Sequence, residues 1–388
     1  MLFLKKSQLT IFILLVCLSI SAAPESRTLK EITLTGQGYE LGLQHGQQLK
    51  AEIKGIVSAW KQNTTAALGK DADVVLKEFF EYANFEPAIK RWTPDLLEEV
   101  RGIADGSGQS FNDIFVLNLL DEFWVYIDDP NNHHCSGMGA PARNGNPAYV
   151  AQNMDLENYT DGFQVIMRLK PTNGDPEQLI LTHPGLIALN GVNETGVGLC
   201  VNTLMQLTAS NTGVPVAFVV RALLRLEDKG GALSFLQSID HASGQNYILG
   251  IENQVFDFEA SATKVVRFDP GNSNGTVYHT NHPIVNDDLK SWYKEYYESL
   301  EDPIASSNSY QRLFAVESRL AENSFITTEV MKDALRSKDN PSHPVCRTNA
   351  NDGYGFTFAS TIMSLGKKPF LEVLAGPPDE SEYVRYDF

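Results

Sequence analysis

One cysteine in this chain stands where packing gives it little reason to be. Cys135 follows the polar, turn-prone run Asp128-Asp129-Pro130-Asn131-Asn132 and then His133-His134, and it opens a stretch of changed character. Upstream the spacing is helical; downstream it is β-rich. The chemistry a thiol offers is nucleophilic attack through its thiolate. The bland alternative is a small buried hydrophobe, the commoner fate of any single cysteine. Four other reaction signatures are missing: G-x-S-x-G, G-x-x-x-x-G-K-[ST], H-E-x-x-H and C-x-x-C. What remains to explain is a lone thiol just after an exposed loop.

The cysteine count sharpens the case. Lys5 and Lys6 followed by the apolar run Leu9 to Ile20 and the small residues Ser21-Ala22-Ala23 read as an export signal over residues 1–23, too short to span a bilayer. Cys17 leaves with that segment, so Cys135, Cys200 and Cys346 remain, and an odd number leaves at least one thiol unpaired in an oxidising compartment. Cys200 has apolar strand neighbours and reads as core. Cys346 reads as structural, with a Cys200–Cys346 pairing left open. The net charge of -17 repels phosphate backbones and anionic membranes, so neither nucleic acid nor a membrane anchor is expected.

The elements that must position Cys135 are read from periodicity. Residues 29–134 are mostly helical, from Tyr39-Glu40-Leu41-Gly42 through Trp60, then Val74 to Tyr82, Pro94 to Ile103 and Phe111 to Phe123. After Cys135 come short strands at Ala148 to Asp155, Gln164 to Leu169, Gln178 to Thr182, Leu186 to Leu189 and Val197 to Asn202. Helices are expected from Pro215 to Leu226 and from Ala232 to Ile239. A second strand cluster follows at Tyr247 to Ile251, Val255 to Glu259 and Val265 to Phe268. Helices at Leu289 to Leu300, Tyr310 to Leu320 and Glu329 to Leu335 precede closing strands at Thr357 to Met363, Phe370 to Leu374 and Glu382 to Tyr386. Two antiparallel strand clusters with helices between them point to an α+β layered domain. No linker divides it.

A set of short motifs in fixed order carries a resemblance. It begins at Gly36-Gln37-Gly38-Tyr39-Glu40-Leu41-Gly42 with His45-Gly46, and continues at Arg101-Gly102-Ile103-Ala104-Asp105-Gly106. Next come Cys135-Ser136, Gln152-Asn153-Met154-Asp155 and Asn190-Gly191-Val192-Asn193-Glu194-Thr195-Gly196. Gly213-Val214-Pro215 with Arg221, His279-Thr280-Asn281-His282 and Cys346-Arg347 complete it. In this order the chain resembles the acyl-CoA:6-aminopenicillanic acid acyltransferase family, peptidase family C45, of N-terminal-nucleophile hydrolases.

The resemblance implies a four-layer αββα sandwich of two antiparallel sheets, made from two chains after self-cleavage at His134–Cys135. One chain would run over residues 24–134 and the other over 135–388, held together as one structural domain behind the signal. Cys135 would be nucleophile and, through its new α-amine, base. Asp155 would hold that amine, and Asn281 would supply an oxyanion-hole donor. Read in isolation, Asp155 is a strand-end carboxylate and Asn281 an Asx turn. Tyr354-Gly355-Phe356 stands where penicillin-making members carry Ser-Arg-Gly, so Tyr354 and Phe356 mark a different substrate pocket. His133, His134, His279 and His282 fit no standard zinc spacing, and neither metal nor organic cofactor is expected. His45 reads as a helix-packing residue.

The expected activity is therefore amide hydrolysis or acyl transfer on a small-molecule amide. The rival readings are a related amidase for bile-salt-like, acyl-lactone or ceramide-like amides, and a binding protein that kept the fold without turnover. Export implies secretion, the periplasm, or a lysosome-like compartment in a eukaryote.

Overall fold

The structure, a computed structural model, describes residues 27–127, 135–305, 307–348 and 355–388. The leader, His133, His134 and Tyr354 lie outside those residues. Among the described residues no helix is long and apolar enough to cross a membrane.

The described residues open on a strand that the helical reading of 29–134 does not include, β1 (Lys30–Gly36). Its burial alternates, with Ile32, Leu34 and Gly36 turned inward, the period of a half-buried strand. Seven helices follow: α1 (Tyr39–Gln48), α2 (Lys50–Leu68), α3 (Ala72–Tyr82), α4 (Glu86–Trp92), α5 (Pro94–Ser107), α6 (Phe111–Leu117) and α7 (Leu120–Ile127). Then come β2 (Ser136–Ala140), β3 (Tyr149–Glu157), β4 (Val165–Pro171), β5 (Gln178–Thr182), β6 (Asn190–Asn193) and β7 (Gly198–Thr203). Helices α8 (Val216–Leu223) and α9 (Lys229–Ser238) lead to β8 (Gln245–Ile251), β9 (Gln254–Ala260), β10 (Val265–Phe268) and β11 (Val277–His279). Helices α10 (Ser291–Ser299), α11 (Asn308–Ala321) and α12 (Thr328–Leu335) precede β12 (Gly355–Ser364), β13 (Phe370–Ala375) and β14 (Val384–Asp387).

These strands make two sheets, an eight-stranded one in the order β1-β4-β5-β6-β7-β8-β9-β10 and a six-stranded one in the order β11-β2-β3-β12-β13-β14. Neighbours are antiparallel except β1 and β4, which run parallel. The expected strand at Leu186 to Leu189 is irregular instead. Pro184 and Gly185 (φ 88) turn the chain there, and Leu186 donates its N–H back to His183. Leu186 and the Ile187 beside it pack among the helices rather than in a ladder.

Alternation along the strands shows the layering. On β4, Val165, Met167 and Leu169 face the helices of the first half, while Ile166 faces the other sheet. On β7, Leu199 and Val201 face the helices and Cys200 the sheet interface; on β8, Leu249 and Ile248 divide the same way. The interface is completed from the second sheet by Val150, Met154, Leu156, Phe358 and Val373. The outer face of that sheet, through Met138, Ala151 and Ile362, is covered by Leu313, Val316 and Met331 of α11 and α12. The result is helix, sheet, sheet, helix: an αββα sandwich. Strands covered on both faces read as nearly continuous apolar runs.

Close helix contact explains the first two motifs. Gly42 and Gly46 of α1 lie against Gly102 and Gly106 of α5, and a Cβ on Gly42 would overlap the Glu99 carbonyl oxygen. In the same seam His45 is fully buried and its Nε2 accepts the Gly185 N–H at 3.0 Å. Glu99 pairs with the equally buried Arg221 at 2.8 Å.

Candidate active site

Cys135 immediately precedes β2, the strand between β11 and β3 in the six-stranded sheet. Its neighbours are therefore fixed by two ladders. Ser136 pairs with Asn153 on one side, and Gly137 pairs with His279 on the other. The thiol lies 3.6 Å from Met154 Sδ and 4.0 Å from the Asp155 carbonyl oxygen. Asp155, buried in β3 opposite Thr357 of β12, sits one residue beyond Met154. Asn281 follows the end of β11 by two residues and is also buried.

The side chain that gathers these groups is Arg312 of α11, fully buried. Its Nη1 donates to the Cys135 carbonyl oxygen at 2.6 Å and to Ser136 Oγ at 2.9 Å. Its Nη2 donates to Asn281 Oδ1 at 2.9 Å, and its Nε to Asn308 Oδ1 at 2.6 Å. A guanidinium on Oδ1 settles which way the Asn281 amide faces. The Nδ2 of Asn281 then donates to the Thr203 carbonyl at 3.1 Å, and since an amide nitrogen carries two protons, one remains. Asn202 of β7 holds the same Cys135 carbonyl from the other sheet at 3.1 Å and also donates to His279 O at 3.0 Å.

Burial and the nearby Asp155 charge push the Cys135 thiol up to about 12, against the pull of Arg312. Burial also lowers Arg312 to about 10, with Asp155 and Cys135 pulling it back up. In the continuous chain the thiol is thus held protonated. His279 is buried against Glu259 at 2.9 Å, and His282 stacks on Tyr310 with its Nδ1 2.7 Å from Ser309 Oγ. Among the described residues no three His, Cys, Asp or Glu side chains cluster as metal ligands do. Cys200 and Cys346 are both free and buried. Cys200 lies between the sheets, and the Cys346 thiol donates to Asp379 at 2.9 Å.

A cavity of about 600 Å³, its mouth included, opens onto Cys135 and Asp155. Its wall is mostly apolar, from Leu117, Leu120, Trp124, Leu186, Val216 and Val220, with Asp121, His183 and Thr203 among them. Phe356 is not in that wall. It is fully buried between the sheets, with the Arg27 guanidinium 5.3 Å over its ring, and Tyr354 lies outside the described residues. The structure brings together Cys135, Asp155 and Asn281, the residues named from the sequence, and places beside them Arg312, Asn202 and Asp121, which were not named. Arg312 had a visible signal: it shares the buried face of α11 with Leu313, Val316 and Leu320, where an unpaired cation would be costly.

Comparison with known proteins gives four likenesses. The family model for acyl-coenzyme A:6-aminopenicillanic acid acyl-transferase matches residues 142–379, more than half of the chain, beginning just after Cys135 and including Asp155 and Asn281. The 40 kDa form of acyl-coenzyme A:6-aminopenicillanic-acid-acyltransferase from Emericella nidulans is 25% identical over 263 residues, or 66% of this chain and 70% of that protein. Among solved structures, the Caenorhabditis elegans ortholog of N-acylethanolamine-hydrolyzing acid amidase covers 60% of this chain and 93% of its own, at 15% identity and a TM-score of 0.40. Penicillin V acylase from Agrobacterium tumefaciens covers 62% and 83%, at 14% identity and a TM-score of 0.42.

Proposed function

The chain belongs to the acyl-coenzyme A:6-aminopenicillanic acid acyl-transferase family, and we propose that it cleaves or transfers the acyl group of a small carboxamide. Cys135 is the nucleophile, released as a new N-terminus by cutting of the His134–Cys135 bond. One observation carries the reading: Arg312 ties the carbonyl of Cys135 and the amide of Asn281 into one rigid cluster beside an apolar cavity.

Maturation begins with attack of Sγ on the His134 carbonyl carbon. A C–S bond forms, the C–N bond breaks, and the thiol proton ends on nitrogen, which becomes the α-amine of Cys135. Water then attacks the thioester, restoring the thiol and leaving His134 as a carboxylate. For repeated turnover the cut places a base on the same residue as the thiol. A thiol raised to about 12 requires a base, and an α-amine titrates near 7.7–8.0 on the same residue.

Turnover repeats the chemistry on substrate. The amine takes the thiol proton as sulfur attacks the amide carbonyl, and Asp155 holds the amine in place. The remaining Asn281 Nδ2 proton stabilises the oxyanion, a contribution of roughly 3–4 kcal/mol for such a donor. Collapse expels the leaving amine with the proton, and water or an acceptor amine takes the acyl group from sulfur. The helices of the first half share one apolar core with the eight-stranded sheet, which supports the two chains remaining associated, and the apolar leader supports export.

Intact mass and N-terminal sequencing of active protein test the reading. Two chains are expected, the second running Cys135–Phe388, and acylation of its α-amine should abolish turnover while the thiol remains titratable. A single uncut chain in active protein, or full activity with the amine blocked, overturns it.

A further inference from the structure

The cavity over Cys135 is mostly apolar, and α7 brings a carboxylate into its wall. Leu120, Asp121 and Trp124 of α7 line it, beside Leu117 at the end of α6, and the α7 residues have the three-to-four-residue spacing of one helical face. Asp121 thus occupies a position that the pattern would fill with a hydrophobe. Its Oδ1 accepts the Thr203 hydroxyl at 2.9 Å and the carboxylate also accepts from the Gln245 amide, two neutral donors that leave its charge uncompensated. Among the described residues no lysine or arginine lines the cavity. An acid in an apolar wall with no cation is costly unless a partner arrives.

The other polar groups of the wall narrow what that partner can be. Asn118 is spent: its Nδ2 donates to the Ile114 and Gly185 carbonyls, both at 2.8 Å, and its Oδ1 accepts the Ile187 N–H at 2.9 Å. His183 gives Nδ1 to the Pro184 carbonyl at 3.1 Å, which makes Nε2 an acceptor, and Nε2 has no protein partner. Burial keeps His183 neutral, lowered to about 4. The unused capacity on this wall is all for accepting protons. A ligand that satisfies it brings donors and positive charge.

We propose that the cavity receives an acyl chain that is apolar along its length and carries a protonated amine, which Asp121 neutralises while His183 Nε2 offers a second acceptor. The inference rests on the Cys135 acyl-enzyme reading and adds the class of acyl group to it. The same Asp121 charge is felt at the Cys135 thiol, so amine site and reacting sulfur share one cavity.

The test is a series of ω-aminoacyl anilides of increasing length against their des-amino counterparts, assayed on the processed enzyme at neutral pH. At least one aminoacyl member should exceed its neutral partner in kcat/KM, and Asp121→Asn should reduce that ratio by about 30-fold or more, the scale of losing a buried charge partner. Neutral members preferred at every length in wild type would overturn the proposal. So would an unchanged ratio in Asp121→Asn, including an equal loss on both series, which would assign Asp121 to the freed amine of Cys135. If Asp121→Asn does not fold, competition in wild type decides: alkylammonium ions should inhibit more strongly than alcohols of equal length, and equal inhibition overturns the proposal. Turnover of neither series, with Cys135 unreactive to a thiol probe, would instead remove the acyl-enzyme reading itself.

Discussion

Replacing Arg312 by lysine tests whether the guanidinium, and not merely a buried positive charge, organises the site. Arg312 serves four acceptors at once: the Cys135 carbonyl, Ser136 Oγ, Asn281 Oδ1 and Asn308 Oδ1. An ammonium has three protons on one atom and no planar fork. At least one buried acceptor must go unsatisfied, at roughly 1–3 kcal/mol. The Cys135 carbonyl still has Asn202, whereas among the described residues Asn281 Oδ1 has no second donor, so Asn281 is the acceptor that a misplaced ammonium leaves unheld. An Asn281 amide free to turn loses the aim of its second proton. Complete loss of such a donor costs a factor of about 10²–10³ in turnover, so Arg312→Lys should fall by about 10- to 100-fold in the processed enzyme. Self-cleavage, followed by gel, should slow with it. A cycle with Asn281→Ala identifies the route: the double variant should turn over about as slowly as Asn281→Ala alone, because the lysine acts through that amide. Turnover of Arg312→Lys within about twofold of wild type, or fully additive losses in the cycle, would refute the reasoning.

Cys135→Ser should mature slowly or not at all and hydrolyse amides poorly, since a hydroxyl ionises far less readily than a thiol; wild-type processing measured by mass would contradict this. Gly42→Ala places a methyl group against the Glu99 carbonyl in the α1–α5 seam, and thermal unfolding should show a loss of about 1–3 kcal/mol. Glu122 is buried with its Oε1 accepting the Val216 N–H and the Ser243 hydroxyl, and burial beside Asp121 pushes it up to about 8. Its proton therefore favours the fold most fully below the ordinary glutamate range near 4.3, and that stability is lost as pH rises through 8. Glu122→Gln should accordingly flatten the fall in melting temperature between about pH 6 and 9, and an unchanged slope would count against it.

Of the three residues singled out in the sequence, only Cys135 sits at a break in pattern; Asp155 and Asn281 came from the family resemblance. Cys135 stands at the switch from helical to strand periodicity, whereas Asp155, within β3, and Asn281, just past β11, read alone as an ordinary strand-end carboxylate and an Asx turn. Arg312, Asn202 and Asp121 were not legible, because their roles depend on which face of an element turns inward. Asn202 lies two residues beyond Cys200, so alternation puts both between the sheets, yet only the pairing of β7 with β8 fixes that face toward the Cys135 carbonyl. The same limit hid β2 and β11, whose residues are Ser136-Gly137-Met138-Gly139-Ala140 and Val277-Tyr278-His279. Neither has the β-branched run that marks a strand. Gly137 is small because Asn202, Ile248 and Cys200 from the facing sheet leave no room for a Cβ. A strand stripped of side chains on one face looks like a loop in sequence, and it is there that two sheets come close enough for Asn202 and Arg312 to hold one carbonyl from opposite layers. The features that weaken the sequence signal around Cys135 are therefore the ones that let its site close.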